Sequence, residues 1–297
     1  MQQVTRKKLG AGVNLTCVTT PKFKRAVLRV MLLLPLGGPD GALRACLASG
    51  RPGIGVAPSG SARALNTADQ EAAAVLQAWY PGAMGGLAVA RALFGEVNPQ
   101  GKLPVTFYHS DEDLPSFTDY AMKGRTYRYM EKEALYPFGY GLSYTRFAFK
   151  DAALSAQTAG PDGVDLSVTV RNEGSRAGIE TVQVYVKAER PGTPNAQLKG
   201  LAKVDLAPGE ERRMTLHLPL EALALCNEEG VCEVLPGDYT LWVGGSQPDA
   251  RSITLAGQAP LRLALRQVAG VGKDDRLPVR GGPSAAVRAA KAPENHN

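Results

Sequence analysis

Cysteine, histidine and long apolar runs are all in short supply in this sequence, and each shortage removes a class of protein. Four cysteines, Cys17, Cys46, Cys226 and Cys232, are too few and too scattered for a disulfide scaffold or a four-thiolate zinc site. The three histidines, His109, His217 and His296, lie far apart without metal-ligand spacing, so neither a metal nor a cofactor is expected. The most apolar stretch, Ala26 to Leu36, falls well short of the roughly 20 residues of a membrane span. Arg29 and Pro35 also break it, so no membrane partner is expected. That run begins late and holds an arginine, unlike the core of a secretory leader. There is no Gly-x-x-x-x-Gly-Lys phosphate loop, Ser61 lacks the flanks of a nucleophile elbow, and no fixed-period repeat points to a solenoid or propeller.

What is present is the composition of a folded chain. With 297 residues, 44% hydrophobic and 21% charged, there is enough material for two ordinary domains with cores. The net charge of +6 is concentrated at one end. Residues 1–52 hold Arg6, Lys7, Lys8, Lys22, Lys24, Arg25, Arg29, Arg44 and Arg51 against Asp40 alone. A basic segment can bind nucleic acid through counterion release, but no interleaved aromatics or RNA-binding motif accompany it, so no nucleic-acid partner is expected.

Texture divides the chain. Residues 1–30 form a basic segment without a clean period, and residues 31–108 read as α/β, with Gly-rich turns between short apolar runs. Within the latter the spacing predicts a helix over Asp40–Ser49, a strand over Ile54–Ala57 and a helix opened by a Thr67/Gln70 capping box. A strand over Ala74–Tyr80, a helix over Ala83–Phe94 and a strand over Leu103–Phe107 follow. Residues 109–147 are rich in aromatics and turn residues and read as an ordered connector. Residues 148–257 alternate with period two over Val164–Arg171, Glu180–Lys187, Arg212–Leu218 and Asp238–Gly244, with turns between, as in a β-sandwich. Residues 258–297 have the composition of a disordered tail. Cys226 and Cys232 flank a turn, Asn-Glu-Glu-Gly, and either face each other as a disulfide or stand as two independent strand thiols.

Five ordered blocks carry a resemblance: GSARALNTAD (60–69), AWYPGAMGG (78–86), LFGEVNPQGKLPVTF (93–107), GRTYRY (124–129) and LYPFGYGLSYTRF (135–147). In order and spacing they resemble the C-terminal half of family 3 glycoside hydrolases, the β-glucosidase and β-xylosidase family. The stretches 168–186, 198–210 and 235–246 resemble that family's fibronectin type III-like domain, and a fainter likeness extends upstream over 34–52. The resemblance covers about three-quarters of the chain. It implies an incomplete α/β sandwich domain followed by an all-β fibronectin type III-like sandwich, and a β-linked oligosaccharide or glycoside as substrate.

Each block also has a physical reading. Tyr80-Pro81-Gly82 turns sharply before a helix N-terminus, which suits either a bound anion or, the better reading, a structural cap. Tyr127, Tyr129, Tyr136, Phe138, Tyr140 and Tyr144 suit either a sugar-stacking surface or, the better reading, a packed seam between domains.

Retaining glycosidases need two carboxyl groups about 5 Å apart. In the family the nucleophile is an Asp of an N-terminal (β/α)₈ barrel, and no such barrel occurs in these residues. The acid/base is often a Glu in an acid-rich stretch before a turn resembling Leu34–Gly38, yet Lys22–Leu33 contains no acidic residue. No catalytic residue is therefore assigned. The pairs Asp111/Asp113, Glu131/Glu133 and Glu228/Glu229 read as solvated surface charge. The expectation is a truncated or mis-framed family 3 product, inert alone. A non-catalytic polysaccharide-binding or docking module, and half of a split enzyme completed by a barrel-containing partner chain, are the other two readings.

Overall fold

A computed structural model describes residues 16–18, 30–33, 44, 48, 53–227, 229–269 and 276–277. They fall into two compact units, Met1–Gly101 and Lys102–Asn297. The helix expected over Asp40–Ser49 lies outside the described residues apart from Arg44 and Ala48, as does most of the basic segment 1–30.

The first unit is built on four strands, β1 (Thr16–Val18), β2 (Val30–Leu33), β3 (Gly53–Ala57) and β4 (Ala74–Gln77), in the order β1-β4-β3-β2. β2, β3 and β4 run parallel and β1 is antiparallel to β4. Every residue of β3 and β4 is buried, which is why GIGVA and the AVL of β4 read as continuous apolar runs rather than alternating ones. A parallel pair needs a crossover, and α1 (Asn66–Glu71) lies within the one joining β3 to β4. The capping box expected at Thr67 does not form. The helix begins at Asn66, so Thr67 sits inside its first turn, and its hydroxyl accepts instead from Arg44 at 3.3 Å. β4 stops three residues before the expected Tyr80, because Trp79 takes a left-handed φ of 52° that no strand can continue. α2 (Gly85–Leu93) then buries Ala88, Val89 and Ala92, the three- and four-residue spacing of one helical face.

The second unit carries two antiparallel sheets. β5 (Phe147–Leu154), β6 (Val164–Asn172) and β9 (Glu211–Leu218) make one in the order β5-β6-β9. β7 (Gly178–Ala188), β8 (Gln197–Leu206), β12 (Gly237–Gly244) and β13 (Leu261–Gln267) make the other in the order β13-β12-β7-β8. Alternate residues of both sheets meet in one core, among them Val168 and Val170 of β6, Val182 and Val184 of β7, Leu216 of β9 and Leu241 of β12. Asn172 ends β6 fully buried. Its amide donates to the carbonyls of Arg176 and Leu206 while its oxygen accepts from Gly174 N–H and the Thr145 hydroxyl, so all of its hydrogen-bonding capacity is used.

Two expectations are corrected in this unit. Residues 258–297 are not all tail: Leu261–Gln267 pairs with β12 from Gly237↔Gln267 to Val243↔Leu261, with every second side chain turned inward. The Gly, Pro and Lys around this segment hid its period-two pattern. Leu103–Phe107 is not a strand either, since Pro104 has no N–H to give a ladder. It folds instead against residues 136–140, with Leu103 N–H donating to Tyr140 O at 2.8 Å, Gly139 N–H to Leu103 O at 2.8 Å, and Phe107 N–H to Tyr136 O at 2.9 Å.

A short hairpin, β10 (Leu225–Cys226) and β11 (Cys232–Glu233), places Cys226 opposite Cys232, and the two are joined as a disulfide. β14 (Arg276–Leu277) pairs with β11. The sequence separation is only 6. Closing so short a loop restrains little of the unfolded chain, so reduction is expected to lower stability by no more than about 2 kcal/mol. Urea midpoints with and without dithiothreitol check this.

Candidate functional site

The aromatic connector is where the second unit departs from a plain sandwich. β7 is buried on both faces, so its outward Gln183 and Tyr185 are covered as fully as the inward valines. The cover is the segment from Lys102 to Tyr144. Tyr127 stacks on Phe138 with ring centroids 4.1 Å apart and meets the edge of Tyr185 at 6.3 Å, while Tyr136 lies 6.2 Å from Tyr140. Tyr136 and Tyr140 are buried. These rings are spent on one another and on the sheet of their own unit, and Tyr136 and Tyr140 present no surface for a sugar. Burial pushes the Tyr185 phenol well above its ordinary range and that of Tyr127 upward too.

Polar contacts fix the cover in place. The Tyr185 hydroxyl donates to Gln183 Oε1 at 2.7 Å, and Gln183 Nε2 donates to the carbonyls of Gly139 at 2.9 Å and Gly245 at 2.8 Å. From the β7–β8 loop, Asn195 Nδ2 donates to Tyr127 O at 3.1 Å and Met130 O at 2.9 Å, and its own N–H to Arg128 O. Lys102 forms an ion pair with Glu180 at 2.9 Å and also donates to Gly141 O at 2.9 Å. At the other end Asp249 caps α3 (Ala250–Ala256) by accepting from Ser252 N–H, and Arg251 reaches Leu135 O at 3.3 Å.

Between this cover and the sheet lies a cleft of about 450 Å³, lined by Thr106, Tyr127, Asn195, Trp242 and Gln247 together with charged groups at its edge. What these residues offer is recognition: an indole, amides and a hydroxyl. No local pattern marks the cleft, because its walls bring together residues as far apart in sequence as Thr106 and Trp242.

Most of the residues weighed as chemistry in the sequence sit elsewhere. Asp113 accepts from Ser110 N–H and pairs with Lys132 at 2.9 Å, and the Lys132 hydrogen bond holds its carboxyl below the usual range. Glu131 and Glu133 are exposed at the cleft edge. Glu228 lies outside the described residues, and Glu229 is exposed in the hairpin turn. His217 meets Asp165 at 2.8 Å on an exposed face of β6 and β9, and His296 lies outside the described residues. Ser61 follows β3 in a loop, where its carbonyl accepts from the Ser59 hydroxyl. Among the described residues no three His, Cys, Asp or Glu are grouped to hold a metal.

Lys199 on β8 has a pKa lowered to about 8, first by burial and then by the nearby Arg128 charge. Its ordinary value is 10.5, so between about pH 8 and 10.5 the unfolded chain binds a proton that the folded chain has released. Stability therefore gains from this group as pH rises through that window, and below it the charged amine is disfavoured in the fold throughout. Lys199→Met is expected to be more stable than the parent at pH 7, with the advantage shrinking from pH 8 to pH 10. Urea denaturation of both proteins across that range is the check.

The glycosyl hydrolase family 3 C-terminal domain matches residues 23–144 and a fibronectin type III-like domain matches residues 180–247. The chain is 43% identical over 211 residues to a xylan 1,4-beta-xylosidase of Xylanibacter ruminicola, covering 70% of this chain and 24% of that protein. It is 37% identical over 217 residues to a periplasmic beta-glucosidase of Salmonella typhimurium, covering 68% and 28%. Among solved structures, a beta-glucosidase from Erythrobacter marinus aligns with a TM-score of 0.65 at 32% identity, over 77% of this chain and 30% of that one. Beta-glucosidase 3B from Thermotoga neapolitana aligns with a TM-score of 0.65 at 30% identity, over 79% and 33%. The chain thus spans about a quarter of the length of the curated relatives it matches. Through its ordered motifs and these two matches, the chain belongs to glycoside hydrolase family 3, corresponding to that family's C-terminal domain and its fibronectin type III-like domain.

Proposed function

We propose that these residues are the supporting end of a β-glycosidase acting on β-linked glucosides or xylosides, and that they do not cleave a sugar by themselves. The reading rests above all on the match to proteins named β-xylosidase and β-glucosidase over only 24% and 28% of their length. Lys22–Leu33, where the family's pattern leads one to expect the acid/base, holds no acidic residue. In this reading both carboxyl groups come from outside the chain, from a barrel that is part of the same protein or of a partner chain. On the same reading residues 31–108 are part of an α/β sandwich domain, residues 109–147 are the connector, and the β-sandwich runs on through β13.

A chimera tests the supporting role. Residues 53–297 grafted in place of the matching C-terminal part of the Salmonella β-glucosidase are expected to give an enzyme that hydrolyses aryl β-glucosides. A chimera that folds, by circular dichroism and sedimentation, yet releases no nitrophenol would count against it.

A further inference from the structure

We propose that the cleft between the connector and the β13-β12-β7-β8 sheet is a non-catalytic sugar-binding site, taking a neutral β-linked saccharide with one pyranose ring against Trp242. The volume, about 450 Å³, lies within the roughly 300–1,000 Å³ of small-molecule sites. Trp242 alternates along β12 with Leu241 and Val243, which belong to the core, so its side chain is on the outer face and lines the cleft. A flat aromatic ring suits the apolar face of a pyranose.

Two residues that line the cleft each hold a buried polar atom without a partner. Thr106 is only 6% exposed and its hydroxyl has no hydrogen-bond partner; Gln247 Oε1 is likewise buried and unpartnered. Buried polar groups are satisfied in the great majority of folded proteins, and an unsatisfied one asks what completes it. An amide oxygen can only accept, and a hydroxyl can accept or donate, so the missing partner must bring O–H or N–H donors.

Charge narrows the class further. Glu131, Glu133 and Asp249 face Lys132, Lys187 and Arg251 around the same cleft, so its formal charge balances. Neither a polyanion nor a polycation is favoured there. A neutral polyhydroxylated ring meets the indole, the two orphaned oxygens and the balanced rim together. The choice of a sugar over another polyol rests on the functional reading above; the cleft and its orphaned atoms do not.

The test is a titration of the full 297-residue chain with cellobiose and with xylobiose, followed by tryptophan emission and by amide chemical shifts, with glycerol and inositol as controls. A saturable response in the millimolar range is expected for at least one disaccharide, centred on Trp242 and Gln247. Gln247→Leu and the isosteric Thr106→Val are each expected to weaken binding about fivefold to tenfold, the equivalent of one hydrogen bond. In Trp242→Phe the emission response is lost and the amide titration shifts to higher sugar concentration. No saturable response to either disaccharide overturns the proposal. So does an equal response to glycerol, which leaves a polyol site only, or affinity unchanged in both Gln247→Leu and Thr106→Val. Since the titration needs no turnover, it can succeed while the grafted chimera is inactive, or fail while the chimera works, and the two readings stand or fall separately.

Discussion

Truncating Leu241 to alanine is expected to destabilise the second unit by about 2–5 kcal/mol, the range for deleting a fully buried leucine and leaving part of its volume empty. Leu241 is 0% exposed in β12, a strand paired on both sides, with Val186 of β7 opposite it in one direction and Leu263 of β13 in the other. Its side chain enters the core shared with the β5-β6-β9 sheet, and rigid strands on every side limit how far the hole can collapse. Leu201, 49% exposed on β8, is the control: its truncation is expected to stay within about 0.5 kcal/mol. Urea denaturation of the two variants separates a core effect from a general loss of apolar surface.

Gly139→Ala is expected to cost about 3 kcal/mol, most of it from one crowded spot. Gly139 has a left-handed φ of 76°, which any side chain makes unfavourable by roughly 1–2 kcal/mol. An added Cβ there would also lie within 2.5 Å of both Gln183 Oε1 and the Tyr185 hydroxyl. The clash would push apart the hydrogen bonds that tie the connector to the sheet, leaving buried polar atoms unsatisfied at about 1–3 kcal/mol each if nothing else fills the gap. Gly192 isolates the backbone contribution, since its φ of 77° is similar and an added Cβ meets nothing within 4 Å. Gly192→Ala is expected to lose only about 1 kcal/mol. Hydrogen exchange at Leu103, Phe107 and Gly139 should quicken in Gly139→Ala and not in Gly192→Ala.

The strands of the sandwich were legible because alternation is a local signal. Val164–Arg171 and Asp238–Gly244 each show one buried and one outward set, and each forms within a residue of where the pattern places it. β13 has the same alternation, Leu261, Leu263 and Leu265 against Arg262, Ala264 and Arg266, but composition on either side outweighed seven residues of period. The connector gave the opposite difficulty. Its aromatic content marked it as ordered, yet its structure comes from carbonyls and rings supplied by residues tens of positions away, Tyr140 for Leu103 and Tyr185 for Tyr127, and no window of sequence contains both partners. The cleft was hidden for the same reason. Thr106, Trp242 and Gln247 are unremarkable singly and become a site only through the fold. Thr67 shows the limit of a short motif: a two-residue shift in where α1 begins moved it from cap to interior.

Family membership and chemistry are carried by different residues. The ordered blocks between Gly60 and Phe147 are largely turns and packing, with Tyr136, Tyr140 and Phe107 buried and Gly139 required by a close approach. Such residues identify a scaffold without identifying its reactive groups, which is why the relationship was readable while no carboxyl pair was.

The central claim, that these residues support a glycosidase without being one, is tested most directly by assaying the purified 297-residue chain for nitrophenol release from aryl β-glucoside and β-xyloside. The account predicts release no faster than in buffer at any pH. Turnover that copurifies with the chain and is abolished by replacing a single Asp or Glu within it would contradict the account.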